Sequence, residues 1–161
     1  EEMVDIGVLL NEVYQGGLLL SGGKHVLHLE VEGSTKMSGN REELRSAFDN
    51  LLGNAIRYTP ESGSITLRWF ERGGQPVYSV QDSGIGIPAI HIPRLTERFY
   101  RVDRSRSRET GGTGLGLAIV KHIAMRHQAR LEISSEEGKG STFSLVFPSR
   151  RLVIPSDITP A

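Results

Sequence analysis

Four short stretches hold side chains, or bare backbone, that could do chemistry. In DNLLGNAIRYT, over 49–59, Asn50 and Asn54 sit four residues apart in a segment otherwise spaced as an amphipathic helix. At 3.6 residues per turn both lie on one face, a turn apart. Asparagine competes with the backbone for hydrogen bonds, so the pair reads either as polar surface or as a functional pair. In DSGIGIP, over 82–88, Asp82 ends a strand and a glycine turn follows at once. Its same-face neighbours Tyr78 and Val80 imply burial. A carboxylate accepts hydrogen bonds and cannot donate, which suits the exocyclic amine of adenine and repels a phosphate. The plainer reading is an Asx-type turn starter.

The other two stretches are glycine clusters. GGTGLGL, over 111–117, opens a helix, where unsatisfied N–H groups and the positive dipole end favour an anion. A hinge without a ligand is the alternative. EEGKGST, over 136–142, lies between two strands and reads mainly as a hairpin turn. Neither fits a familiar phosphate motif. A P-loop needs Gly-Lys followed directly by Ser or Thr at the end of its glycine spacing, which GKGST does not supply. Gly112, Gly114 and Gly116 give G-x-G-x-G after a loop, not the G-x-G-x-x-G that follows a strand in dinucleotide-binding folds.

The elements that must position these residues fit one domain. The 161 residues suffice for one core and are too few for two, with 37% hydrophobic and 24% charged residues. Zero net charge gives no global attraction to nucleic acid or to an acidic membrane surface. Without cysteine there is no disulfide framework, thiolate metal site or cysteine nucleophile. No apolar run approaches the ~18 residues of a membrane span, and the start is no signal peptide. Beginning EEMVD, the chain reads as a piece of a longer protein.

The periodicity predicts a helix from Ile6 to Leu20 and a half-buried strand with Leu27, Leu29 and Val31 on one face. A short strand is expected around Lys36–Ser38. Asn40 is the expected N-cap of a helix running to about Tyr58, with Glu43 closing a capping box. Two strands follow, with Ile65, Leu67 and Trp69 inward in the first and Asp82 ending the second. A short helix is expected near Ile90–Arg98, a polar Arg-rich loop over 101–112, a helix after the glycines, and two strands around EEGKGS. The tail after Pro148 is expected to be extended or frayed. One mixed sheet with helices on one face, an α/β two-layer sandwich, accommodates this order.

In sequence order, N-x3-N on a helix, strand–D-x-G-x-G, ERFYR and G-T-G-L-G-L resemble the N, G1, F and G2 boxes of the catalytic, ATP-binding domain of sensor histidine kinases. GKGSTF is similar to the stretch that follows them. The resemblance covers roughly residues 40 to 147, with 1–150 expected as the domain and 151–161 as a tail. Within the family, IPRLTERFYRVDRSRSRETGGTGLGLAIVKH looks most like the phosphate-regulon sensor kinases. The resemblance implies the GHKL-type (Bergerat) sandwich shared with DNA gyrase B, Hsp90 and MutL, with ATP and Mg²⁺ as ligands. It makes Asn54 the Mg²⁺ ligand and places Asn50, Arg57 and Tyr58 near the phosphates. Asp82 becomes the adenine reader, with Gly84, Gly86 and Ile87 shaping the pocket. Phe99 and Arg101 match the F box, and Arg101 and Asn50 are the expected catalytic residues. Gly112, Thr113, Gly114, Leu115, Gly116 and Leu117 match the G2 box, and Thr142 the hydroxyl near adenine. Of the loop arginines (Arg101, Arg104, Arg106, Arg108), one or two are expected at phosphates.

A shared fold does not choose the reaction. In the ATP-hydrolysing relatives, the position four before the magnesium asparagine is typically a glutamate that activates water. Here it is Asn50, and an amide has no useful basicity near neutral pH. Asp49 lies about 140° round the helix from Asn54, and Glu43 is near the helix start. Transfer to a protein nucleophile is therefore expected over hydrolysis by a nucleotide-driven clamp or simple nucleotide retention by a binding module. The family's acceptor is a histidine in an H-[ED]-x-x-[TS]-P setting, which none of His25, His28, His91, His122 and His127 has. The implied partners are a histidine-bearing dimerisation domain of the same parent and a cognate response regulator. The fragment is expected to be a monomeric cytoplasmic domain that contacts neither membrane nor nucleic acid, its parent anchored in the inner membrane.

Overall fold

A computed structural model describes residues 1–102 and 115–153. Its elements in chain order are β1 (Glu2–Asp5), α1 (Ile6–Ser21), β2 (Val26–Val31), β3 (Lys36–Gly39), α2 (Arg41–Tyr58), β4 (Ser64–Arg72), β5 (Gln75–Asp82), a 3₁₀ turn (Ala89–Arg94), α3 (Gly116–Arg126), β6 (Arg130–Glu136), β7 (Gly140–Val146) and a second 3₁₀ turn (Ser149–Arg151). Five strands form a mixed sheet in the order β2-β4-β5-β7-β6, parallel only between β2 and β4. The expected two-layer sandwich is this sheet under α1, α2 and α3.

Helix α2 has an apolar stripe of Leu44, Ala47, Phe48, Leu51, Leu52 and Ala55, which follows the helical period and is buried throughout. It lies over the inward residues of the sheet, Ile65, Leu67 and Trp69 on β4 and Tyr78 and Val80 on β5. Phe48 stacks on Tyr78 with ring centroids 3.9 Å apart, and the Tyr78 hydroxyl donates to the Phe48 carbonyl at 3.0 Å. Gly17 lets α1 approach closely, because a Cβ there would meet Leu52 Cδ2 at 2.4 Å and Leu27 Cδ2 at 3.2 Å.

Several expectations change. Strand β1 has no alternating signal strong enough to be read from sequence; it pairs antiparallel with β3 in a separate two-stranded sheet. Val31, expected inward, is exposed at the end of β2, whereas Leu27 on the same face near its start is buried. Asn40 does cap α2, its Oδ1 accepting from the Glu43 N–H at 3.0 Å, but the capping box stays open. The Asn40 N–H goes to His127 Nε2 at 3.1 Å, and the Glu43 carboxylate pairs with Arg126 at 2.9 Å. Nε2 therefore accepts and Nδ1–H donates to the Ile123 carbonyl, which fixes the tautomer of this buried ring. The helix expected near Ile90–Arg98 is the shorter 3₁₀ turn with Pro93 inside it. The fold also continues past Pro148. Arg151 and Leu152 are buried, and Val153 N–H bonds the Lys36 carbonyl at 2.9 Å. The remainder of the expected tail, 154–161, lies outside the described residues.

Candidate functional site

One cleft gathers most of the residues singled out by type and spacing. Its helix wall is α2, from which Asn50, Asn54, Arg57 and Tyr58 face inward at spacings of four, three and one. That stripe runs beside the buried apolar stripe, so the packing that buries Leu51 and Ala55 also aims the asparagines. Asn50 Nδ2 donates to the Ser46 carbonyl at 2.8 Å, which leaves Oδ1 as the atom turned toward α3. The Asn54 side chain forms no hydrogen bond among the described residues and offers its amide to the cleft. Arg57 Nε is buried and has no partner among the described residues. A donor in that state is costly unless a ligand acceptor meets it.

Its sheet wall ends in Asp82. Register puts Leu27, Ile65, Asp82, Ser141 and Ser135 in one row across all five strands, on the side that the helices cover. Asp82 is 8% exposed, and its Oδ1 accepts from Gly84 N–H at 2.8 Å and Ser141 N–H at 3.2 Å. The turn-starter role and a ligand role are thus compatible, since the Asx bond occupies one oxygen and Oδ2 accepts nothing from the described residues. Burial pushes this carboxyl above its ordinary range, and the two backbone bonds pull it partly back.

The glycine turns fit together. A Cβ at Gly86, where φ is 71°, would lie 2.1 Å from the Glu136 carbonyl oxygen, and one at Gly140 would lie 2.1 Å from that of Asp82. Gly138 N–H donates to the Ile85 carbonyl at 2.7 Å. The EEGKGS turn is therefore a hairpin turn that also braces the DSGIGIP loop. Gly84 stands behind that wall, where a Cβ would lie 2.4 Å from the Tyr58 carbonyl oxygen. Ile87 lines the cleft and donates its N–H to Ser135 Oγ at 2.8 Å. At the start of α3, Gly116 and Leu117 line the cleft, and a methyl group at Gly116 would come 2.9 Å from Asn50 Oδ1. Arg101 lines it as well.

Three placements differ from expectation. Thr142 pairs with Gln81 on the opposite side of the sheet from Asp82, because successive strand residues alternate. Its neighbour Ser141 holds the place beside Asp82. Phe99 is 64% exposed and does not line the cleft; Tyr100 does. Leu115 does not line it, whereas Gly112, Thr113, Gly114 and the arginines 104, 106 and 108 lie outside the described residues. Sequence reasoning missed Ile85, Leu95, Tyr100, Val102, Ser141 and Phe143 as lining residues. Phe143 and Ser141 follow from strand alternation once the register to Asp82 is known. Leu95 and Val102 carry no such signal.

The comparisons with known proteins bear on the family and the fold. A family model described as histidine kinase-, DNA gyrase B- and HSP90-like ATPase matches residues 39–151. The chain belongs to this family. It is 52% identical over 145 residues to the phosphate regulon sensor protein PhoR of Pseudomonas aeruginosa, covering 89% of this chain and 33% of that one. Against the sensor-like histidine kinase SenX3 of Mycolicibacterium smegmatis it is 46% identical over 113 residues, covering 70% and 29%. The chain thus spans about a third of the length of these relatives. Among solved structures, the mycobacterial sensor histidine kinase MprB superposes with a TM-score of 0.81 at 25% identity, covering 91% of this chain and 97% of that one. Full-length ShkA in complex with AMPPNP gives 0.78 at 28% identity, covering 91% and 30%. The sandwich expected from the element order is the fold of histidine kinase catalytic domains.

Proposed function

We propose that this chain is the ATP-binding catalytic domain of a sensor histidine kinase, transferring the γ-phosphoryl group of ATP to a histidine on a separate dimerisation domain. The observation that carries the reading is the division of the cleft. An acceptor-only carboxylate, oriented by two backbone N–H groups, ends the sheet wall, while amides and cations stand on the helix wall and on the strip at Arg101. The carboxylate suits an amine-bearing base, and the cations suit phosphates.

In this reading Asp82 Oδ2 accepts from the exocyclic amine of adenine, and the glycine turns allow the base to lie against the backbone. Arg57 and Arg101 neutralise phosphate charge, the electrostatic work that phosphoryl transfer requires. Asn54, with an unengaged amide oxygen, fits Mg²⁺, which takes few oxygens from protein and the rest from phosphates and water. Held at Asn54, Mg²⁺ would supply positive charge to offset that of the phosphates. Asn50, an amide held by Ser46, supplies no base for water, which directs the reaction toward an incoming nucleophile. The parent protein is proposed to be a membrane-anchored phosphate-regulon type sensor that passes the phosphoryl group to a response regulator. Calorimetric titration with Mg·ATP, followed by incubation with a separate histidine-bearing domain, tests the reading. Binding and acid-labile phosphate on the histidine domain support it; absence of nucleotide binding overturns it.

A further inference from the structure

The 3₁₀ turn Ala89–Arg94 and the strip after it hold a side-chain cluster that the proposed chemistry does not use. The Tyr100 hydroxyl is hydrogen-bonded to His91 Nδ1. The guanidinium of Arg94 lies 4.5 Å from the Tyr100 ring centroid and is itself paired with Glu97 at 3.0 Å. Tyr100 packs against the core and lines the cleft, and Arg101 and Val102 line it directly afterwards.

Immediately before Tyr100, Phe99 has φ of 66°, in the left-handed region that residues with a bulky side chain rarely adopt. Its ring points to solvent, so burial of Phe99 does not hold this conformation. The turn is closed on one side by Tyr100 N–H donating to the Glu97 carbonyl at 3.2 Å. On the other side it is closed by the Tyr100 side chain, through His91 and Arg94. The reversal at Phe99 sends its own ring outward and the next residues inward. A backbone strained in this way persists only where its neighbours over-determine it.

We propose that His91 is a positioning residue of the cleft: its Nδ1 clasps the Tyr100 hydroxyl, keeps the strained Phe99 turn closed and so holds Arg101 inward against a bound nucleotide. This rests on the nucleotide reading above. The bond is side chain to side chain, so it is testable without altering the backbone. Asparagine places a polar atom at the same bond separation from Cβ as Nδ1, whereas leucine fills similar space with none.

The test is Mg·ATP affinity by calorimetry on the 161-residue chain, with melting temperature measured on each variant. His91→Leu and Tyr100→Phe should each weaken binding by about tenfold, the upper range for one net hydrogen bond that positions a charged group. The double variant should be no weaker than the worse single one, because both remove the same clasp. His91→Asn should return affinity to within about twofold of the original, a rescue that a merely space-filling role would not show. Wild-type affinity in His91→Leu, equal losses in the Leu and Asn variants, or multiplied losses in the double variant would each overturn the clasp. Failure of the unaltered chain to bind Mg·ATP would instead overturn the nucleotide reading itself.

Discussion

Across the sheet, the Ser141 backbone N–H donates to Asp82 Oδ1 at 3.2 Å, so a residue near the start of β7 orients the carboxylate that ends β5. With Gly84 N–H on the same oxygen, the carboxylate cannot rotate freely, and Oδ2 is presented to the cleft. Replacing Asp82 with Asn keeps the shape but sets a donor or a neutral oxygen where, in the proposed function, the amine of adenine needs an acceptor. Mg·ATP affinity should fall by at least about tenfold, the scale of a lost hydrogen bond to a charged group. Unchanged affinity by calorimetry would remove Asp82 from the adenine site.

The same carboxyl gives a pH signature. Its folded-state pKa is raised by burial, so between the ordinary value and the raised one the native state holds more protons than the unfolded state. Stability contributed by this group therefore falls as pH rises through that window. Asp82→Asn should be more stable than the original at neutral pH, and the advantage should vanish below about pH 4, where the unfolded carboxyl is also protonated. Chemical denaturation of both proteins across pH reads this directly.

Gly116 and Asn50 set a steric limit. A methyl group at Gly116 would sit 2.9 Å from Asn50 Oδ1, and Asn50 is tied to Ser46. Gly116→Ala should displace the Asn50 amide and lower Mg·ATP affinity by about threefold to tenfold, the cost of disturbing one or two polar contacts. Thr142→Val, on the opposite side of the sheet, should change affinity by less than about twofold. A larger effect of Thr142→Val than of Gly116→Ala would contradict the strand register.

In the proposed function, Asn50 also separates transfer from hydrolysis. Asn50→Glu puts a carboxylate where the water-activating base of the hydrolases stands, and Mg·ATP turnover without any histidine domain should rise above that of the original chain. General-base catalysis is worth about 10²–10⁴-fold when geometry is right. Phosphate release is the readout, and no increase would mean that the identity of this residue does not choose the reaction.

Two adjacent glycines in α1 should respond with opposite signs. At Gly16 the nearest group to an added Cβ is Arg45 Nη2, at 3.9 Å, so Gly16→Ala should stabilise by about 0.5–1 kcal/mol through helix propensity. At Gly17 the Cβ would collide with Leu52 and crowd Leu27. Gly17→Ala should destabilise by about 1–2 kcal/mol, overpacking outweighing propensity. Urea midpoints at constant m-value measure both.

Much of the fold is legible in local pattern. The period of 3.6 in α2 and of 2 in β4 is written by residues such as Leu44, Phe48, Leu67 and Trp69, whose burial is a property of each element's own face. Strand β1 is not legible, because a four-residue strand pairing with β3 depends on a partner over thirty residues away. The open capping box has the same cause. Glu43 could have turned back to the Asn40 N–H, but Arg126 and His127 arrive from α3 and claim both groups.

At the candidate site, residue types and order within the chain already pair an acceptor-only Asp82 with the amides Asn50 and Asn54 and set both beside glycine turns. Side-chain chemistry and helical or strand period are local, and one sequence states them. Tertiary structure alone decided that Ser141 and not Thr142 stands beside Asp82, that Tyr100 and not Phe99 enters the cleft, and that His91 reaches the Tyr100 hydroxyl. Each of those outcomes depends on register between strands or on a chain reversal at one strained residue. These are relations between segments, set by how the whole core packs, and no local period encodes them.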